Sequence, residues 1–246
     1  MAMFDTKNNF VFSLYGTLVD IRTDENLPYL WSSMARYYSM KGASYDEVEF
    51  REEYSRLCRE HAEASAKKSK KGKSKLAAEE ADFDLSEVFK ELFTQKGCRV
   101  FSSEVDEAAL TFRSISITKL ALYPEAKKVL EELKKRGKKI YLFTNGQACF
   151  SIPELESLGL IDMFDGIQIS SEIGAKKPSK AFFTAALKNS EIKAKDCVLI
   201  GSDEFGDVRG GMAANMAACY IQTEQSPTVA RNLPCDEISS LADLLD

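Results

Sequence analysis

Histidine is almost absent from this chain: His61 is the only one in 246 residues. That scarcity sets aside serine–histidine hydrolysis and imidazole-built metal sites, which both depend on a ring nitrogen that titrates near neutral pH. His61 itself lies in the charged run Arg59-Glu60-His61-Ala62-Glu63 and reads as a solvated surface residue. Six cysteines are scattered (Cys58, Cys98, Cys149, Cys197, Cys219 and Cys235), and no two form a C-x-x-C pair. Zinc binding and dithiol redox chemistry find no support there, and Cys197 and Cys219, inside apolar runs, read as small core residues. No apolar stretch approaches the roughly 20 residues that span a bilayer. The start, Met1 to Lys7, lacks the basic opening and apolar stretch of a secretion signal. The expectation is a cytoplasmic protein with reduced thiols and no membrane partner. Positive charge is not in excess either: the net charge of −5 speaks against nucleic acid as a partner.

What is present is an ordinary globular composition, 44% apolar and 29% charged, long enough for a sizeable core with a large insertion. Asn9–Leu14 is a continuous apolar run suited to a strand covered on both faces. From about Asp24 to Lys119 the pattern turns helical. Leu27, Leu30, Trp31, Met34, Tyr37 and Tyr38 recur at spacings of three and four. Further helices are expected near Leu85–Lys96 and Glu104–Thr118, and no convincing strand alternation appears in this block. The aromatic residues Trp31, Tyr37 and Tyr38 fit a core face better than a dimer face. Within the block, Lys67 to Lys75 forms a lysine-rich run without interleaved aromatics, which reads as a solvated segment.

After Tyr123 helix and strand alternate. Helices are expected from Pro124 to Lys135, up to Leu158, from Pro178 to Asn189, from about Phe205 to Ala214, and near Ile238–Leu245. Strands are expected at Lys139–Phe143, Gly166–Ser170, Cys197–Ile200 and Ala217–Gln222. Alternation of this kind implies a parallel sheet with helices on both faces, and such sheets bind ligands at the carboxyl ends of their strands. Four polar clusters fall at those ends: Ser13, Thr144, Lys177, and Ser202 to Asp207.

Those clusters carry a resemblance. Phe12-Ser13-Leu14-Tyr15-Gly16-Thr17-Leu18 resembles the first motif of the haloacid dehalogenase-like (HAD) superfamily, with serine in place of aspartate. Leu142-Phe143-Thr144-Asn145-Gly146 is similar to its second motif, and Gly174-Ala175-Lys176-Lys177-Pro178 with Phe182 to its third. Gly201 through Gly210 is similar to its fourth, with Ser202 where an acid is usual. The order and spacing match over nearly the whole chain. The resemblance implies an α/β fold, a Rossmann-like parallel sheet flanked by helices, with an all-helical cap domain inserted after the first motif. It assigns 1–20 and 120–246 to the core and 21–119 to the cap.

The resemblance also implies a site. In the superfamily's phosphatases the first aspartate attacks phosphorus, and Mg2+ joins it to a backbone carbonyl and a fourth-motif carboxylate. By position, Ser13 stands at the nucleophile, while Tyr15, Thr144 and Lys177 complete the catalytic set. Asn145, Gly146, Gly16 and Thr17 fall at ligand-binding positions. The metal positions are the Tyr15 carbonyl, Ser202, Asp203 and Asp207. Ser13 needs a base to become nucleophilic, and two neutral hydroxyls replace two anionic ligands, so Mg2+ is expected to bind weakly or not at all. The leading expectation is a HAD-like hydrolase relative with a degenerate, impaired or non-catalytic site, holding a small phosphorylated or anionic metabolite. The alternative is a working hydrolase with displaced ligands such as Asp203, acting on phosphate monoesters or, less in keeping with Ser13, as a dehalogenase. A third reading is a partner-binding protein that uses the cap surface, including Lys67–Lys75.

Overall fold

The structure, a computed structural model, describes residues 6–71, 76–227 and 233–245. Its elements in chain order are β1 (Asn9–Phe12), β2 (Val19–Thr23), α1 (Leu30–Met40), α2 (Glu47–Lys71), α3 (Leu85–Thr94), α4 (Ser102–Ser116) and β3 (Ile117–Leu122). These are followed by α5 (Ala126–Lys135), β4 (Lys139–Thr144), α6 (Ala148–Ser157), β5 (Gly166–Ile169), α7 (Ser170–Ile173) and α8 (Lys180–Asn189). The chain closes with β6 (Cys197–Gly201), α9 (Gly210–Ala213), β7 (Ala217–Ile221) and β8 (Asp236–Ile238). Part of the lysine-rich run, from Gly72 to Lys75, lies outside the described residues; within them Lys67 pairs with Glu63 at the surface.

Six strands form one parallel sheet in the order β5-β4-β1-β6-β7-β8. β1 lies between β4 and β6, with Phe12 opposite both Leu142 and Ile200. Period-two alternation then sorts the side chains. Phe10, Phe12, Ile140, Leu142, Val198 and Ile200 pack under α5 and the C-terminal turn, while Val11, Tyr141, Phe143, Cys197 and Leu199 pack against Phe182 and Phe183 of α8. Apolar residues on both faces are what a strand in the middle of a parallel sheet requires.

The helices α1 to α4 form a separate cluster, rich in rings. Trp31, Tyr38, Phe50, Tyr54, Phe89, Phe93 and Phe112 are all buried in it, so Trp31 and Tyr38 are core residues of the insertion. Phe150 of α6 joins this cluster, its ring stacked with that of Phe112 at a centroid distance of 6.2 Å. His61 is half-buried and bonded to Glu91 at 3.0 Å, rather than free in solvent.

Three local expectations change. β2 and β3 pair antiparallel, which the sequence hid because Arg22, Thr23, Thr118 and Lys119 turn polar side chains outward. The end of the chain is a strand and one tight turn, Leu241–Leu245, rather than a helix from Ile238; the three-residue β8 is too short to show alternation. The helix expected at 205–214 begins as a wide turn over Glu204–Arg209 before α9. Among the described residues, no helix is long and apolar enough to cross a membrane.

Candidate functional site

The carboxyl ends of β1, β4 and β6 converge on a cavity of ≈ 190 Å³. Ser13, Tyr15, Thr144, Asn145, Lys177, Ser202, Asp203 and Asp207 line it, together with Gln225 and Pro227. Sheet register delivers the first of these: Ser13 N donates to Ile200 O at 3.0 Å, which continues the β1–β6 ladder one residue beyond the strand. A tight turn follows, in which Leu14 O accepts from the amides of Thr17, Leu18 and Val19. Gly16 has a φ of +76°, and a Cβ there would stand 2.7 Å from Ser202 Oγ. Only glycine satisfies both conditions.

Lys177 is the centre of the arrangement. Its Nζ donates to Ser13 Oγ at 3.0 Å, to Phe143 O at 2.9 Å and to Asp207 Oδ1 at 2.5 Å, with the residue only 7% exposed. An ammonium has three donors, and all three are engaged. Asn145 holds the same residue from behind: its Nδ2 donates to Lys177 O at 3.1 Å and its Oδ1 accepts from Lys177 N at 2.8 Å. The side chain of Asn145 is thus committed to the lysine backbone.

Asp207 is buried, and its second oxygen accepts from Asp203 N at 3.1 Å. Asp203 in turn caps the following turn, its Oδ1 accepting from Phe205 N at 2.9 Å. Both Asp207 oxygens and one Asp203 oxygen are therefore bonded to an ammonium or to backbone amides. Among the described residues, no three His, Cys, Asp or Glu side chains come together to hold an ion. Hard divalent cations favour anionic oxygen, and here Ser13 and Ser202 contribute neutral hydroxyls.

Tyr15 presents its ring to the cavity, but its hydroxyl donates to Glu154 Oε2 at 2.6 Å and lies 2.8 Å from Ser151 Oγ. Neither partner lines the cavity. Burial, followed by the Glu154 carboxylate, pushes this phenol well above the ordinary tyrosine range, so it stays a donor. Gly16, Thr17 and Gly146 shape the pocket without lining it. Thr17 is fully buried and donates to Ser202 Oγ at 3.4 Å, Gly16 O accepts from Thr223 Oγ1 at 2.8 Å, and a Cβ on Gly146 would press on Ser151. Sequence reading missed Gln225, Pro227, Glu154 and Arg113. The first two follow the carboxyl end of β7, a position that was readable; the last two carry no local signal.

With this geometry in place, likeness to known proteins can be stated. The family model for haloacid dehalogenase-like hydrolases matches residues 8–215. The chain belongs to that family. Ribulose-1,5-bisphosphate 5-phosphatase from Halopiger xanaduensis is 30% identical over 141 residues, covering 54% of this chain and 59% of that protein. Less than two thirds of that relative's length is therefore spanned. Among solved structures, 2-haloacid dehalogenase from Pseudomonas syringae pv. Tomato superposes with a TM-score of 0.61 at 22% identity, over 97% of this chain and 96% of that one. YfnB from Bacillus subtilis, solved bound to magnesium, gives 0.52 at 17% identity, over 97% and 96%. At these identities the structures establish the fold: a six-stranded parallel sheet flanked by helices with a helical insertion, as in other HAD members.

Proposed function

We propose that this pocket binds the phosphoryl group of a small phosphate monoester, and that hydrolysis of the ester is impaired. The observation that carries the reading is the Ser13–Lys177–Asp207 contact. A buried ammonium, fixed by Asn145, stands beside hydroxyls of Ser13 and Thr144 at the position where the family resemblance puts the phosphate. Ser13 and Ser202 replace the nucleophilic and metal-binding aspartates, and with them two negative charges that would repel an anion. The remaining charged lining, Lys177 against Asp203 and Asp207, sums to −1 (1 − 2), where two further aspartates would make it −3. Phosphate binding then requires the Lys177–Ser13 contact to open, which frees one ammonium donor and the Ser13 hydroxyl for the anion, without a metal.

Turnover lacks its parts in this reading. A serine hydroxyl needs a base, His61 lies in the insertion, and Lys177 offers Ser13 a proton rather than a lone pair. The division of labour proposed is a core of 1–20 and 120–246 that holds the phosphoryl group and a cap of 21–119 that selects the rest of the ligand. A second reading, turnover of phosphate monoesters through displaced ligands such as Asp203, is favoured by the named phosphatase relative. The test measures Mg2+-dependent release of phosphate from an aryl phosphate and a panel of small phosphate esters. The native chain is compared with Ser13→Asp/Ser202→Asp. Turnover by the double variant alone is the expected result. Comparable Mg2+-dependent rates from the native chain would replace the first reading by the second.

A further inference from the structure

Glu154 is a buried carboxylate that the pocket does not use. It is 4% exposed, on α6, and its two oxygens point in different directions. One accepts from Tyr15 Oη at 2.6 Å; the other accepts from Arg113 Nε at 2.6 Å. Arg113 belongs to α4, the last helix of the insertion, and its guanidinium also lies 4.8 Å from the Phe150 ring centroid. Ser151 completes the ring of contacts on the Tyr15 hydroxyl. A chain of short, charge-assisted bonds therefore runs from the insertion through α6 to the wall of the cavity.

We infer that Arg113 is a positioning residue: through Glu154 it fixes the Tyr15 ring, and so sets the size of ligand the pocket admits. The physical basis is a shared partner. Burying Glu154 without its guanidinium is costly, so loss of Arg113 leaves a carboxylate that must seek water or swing away. Tyr15 then loses the acceptor that orients it. The ring lines the cavity and passes close over Gly146, where an added Cβ would stand 3.3 Å from Tyr15 Cε2, so a shift of the ring reshapes the cavity wall. A simple staple between insertion and sheet would affect α4 and α6 but leave the turn after β1 undisturbed. The ligand-size part of the inference rests on the phosphate-binding reading; the positional part does not.

The experiment pairs two readouts on the full chain. Native-state amide exchange is followed in peptides covering Leu14–Leu18, Ser102–Ser116 and Ala126–Lys135. In parallel, binding of inorganic phosphate and of a nucleoside 5′-monophosphate is measured by calorimetry. For Arg113→Ala, exchange in Leu14–Leu18 is expected to rise about tenfold while Ala126–Lys135 stays unchanged, the mark of a local opening. Glu154→Gln, which keeps the shape and removes the charge, should act in the same direction, and Arg113→Lys should restore much of the protection. The preference for inorganic phosphate over the nucleotide should fall about tenfold in Arg113→Ala, as a wall residue that yields relaxes selectivity. Unchanged exchange at Leu14–Leu18 beside faster exchange in Ser102–Ser116 would overturn the inference. If Arg113→Ala does not fold, Glu154→Gln decides by the same criterion. Failure of every chain to bind phosphate would sink the proposed function, while the exchange data would still decide the positional link.

Discussion

The sheet and the helical insertion solve the same problem, burial of apolar surface, with different residues. Around the sheet the core is largely aliphatic, with Leu14, Leu18, Val129, Leu130, Leu133, Ile140 and Leu142 nearly or wholly inaccessible. In the insertion it is aromatic, with Tyr38 stacked on Phe93 at 4.1 Å and Tyr54 on Phe112 at 5.1 Å. The difference matters for where the site can be. Strand register fixes neighbouring backbones through hydrogen bonds, so loops at strand ends inherit fixed positions. Ring clusters between helices tolerate larger adjustments, because stacking geometries are broad. Polar residues that must meet, such as Ser13 and Lys177, accordingly lie in the loops at the sheet's carboxyl edge. Among the described residues, the insertion's ties to that region include Arg113 against Glu154 and Phe150, Leu85 N donating to Gln147 Oε1, and a short antiparallel bridge between Ala81 and Ala175.

The largest test of this comparison truncates one ring and one aliphatic residue. Phe112→Ala should cost about 3–5 kcal/mol and Leu142→Ala about 2–5 kcal/mol, both side chains being fully buried. Trp31 is the single tryptophan and lies in the insertion, so its fluorescence reports that region alone, whereas far-UV dichroism reports the whole chain. In urea, Phe112→Ala should lose fluorescence before dichroism, while Leu142→Ala should lower both together. Coincident transitions in Phe112→Ala would mean that the two regions unfold as one unit.

A smaller effect sharpens the comparison at helix starts. Asp84 caps α3 in the insertion by accepting from Ser86 N at 2.9 Å, and Ser179 caps α8 on the sheet by accepting from Phe182 N at 3.2 Å. Each change to alanine should cost about 1 kcal/mol by thermal denaturation. Ser179 is buried, whereas the Asp84 amide contact is exposed to water, so the sheet-side cap should be the costlier of the two. Equal losses would argue against a more tightly held sheet region.

The smallest expected effect concerns the β2–β3 pair that joins the two regions. The Lys119 ammonium, bonded to Asp20, holds that carboxyl below its ordinary value of 3.8. A carboxyl with a depressed folded-state pKa contributes stability that is complete above the unfolded value and lost as pH falls through the folded one. Lys119→Ala should therefore raise the Asp20 titration midpoint, seen by NMR, and move acid unfolding to higher pH. An unmoved midpoint would show that the exposed lysine is screened by solvent.

Much of this was legible beforehand. Phe10–Phe12, Ile140–Phe143 and Cys197–Ile200 are continuous apolar runs bounded by polar residues or glycine, and a strand covered on both faces leaves that trace. β8 and the β2–β3 pair were not legible, since short or half-polar strands give no alternation to read. Likewise, the motif residues were readable one by one, but their partners were not: Asn145 clamps Lys177 across 32 residues, and Tyr15 meets Glu154 across 139. Gly146, read as a ligand-binding position, makes room for Ser151 and Tyr15, which no local pattern announced.

The sequence by itself determined the chemical inventory: one histidine, serines at 13 and 202, and a lysine at 177, none of which folding can alter. Composition and periodicity also settled the sheet with its helical insertion, because burial patterns are written locally along the chain. Only the tertiary structure decided which donors meet which acceptors. It spent all three protons of Lys177, turned the Tyr15 hydroxyl toward Glu154 and brought Arg113 to the far side of that carboxylate. Such pairings depend on distances held to within a few tenths of an ångström between residues far apart in sequence, and packing fixes those distances.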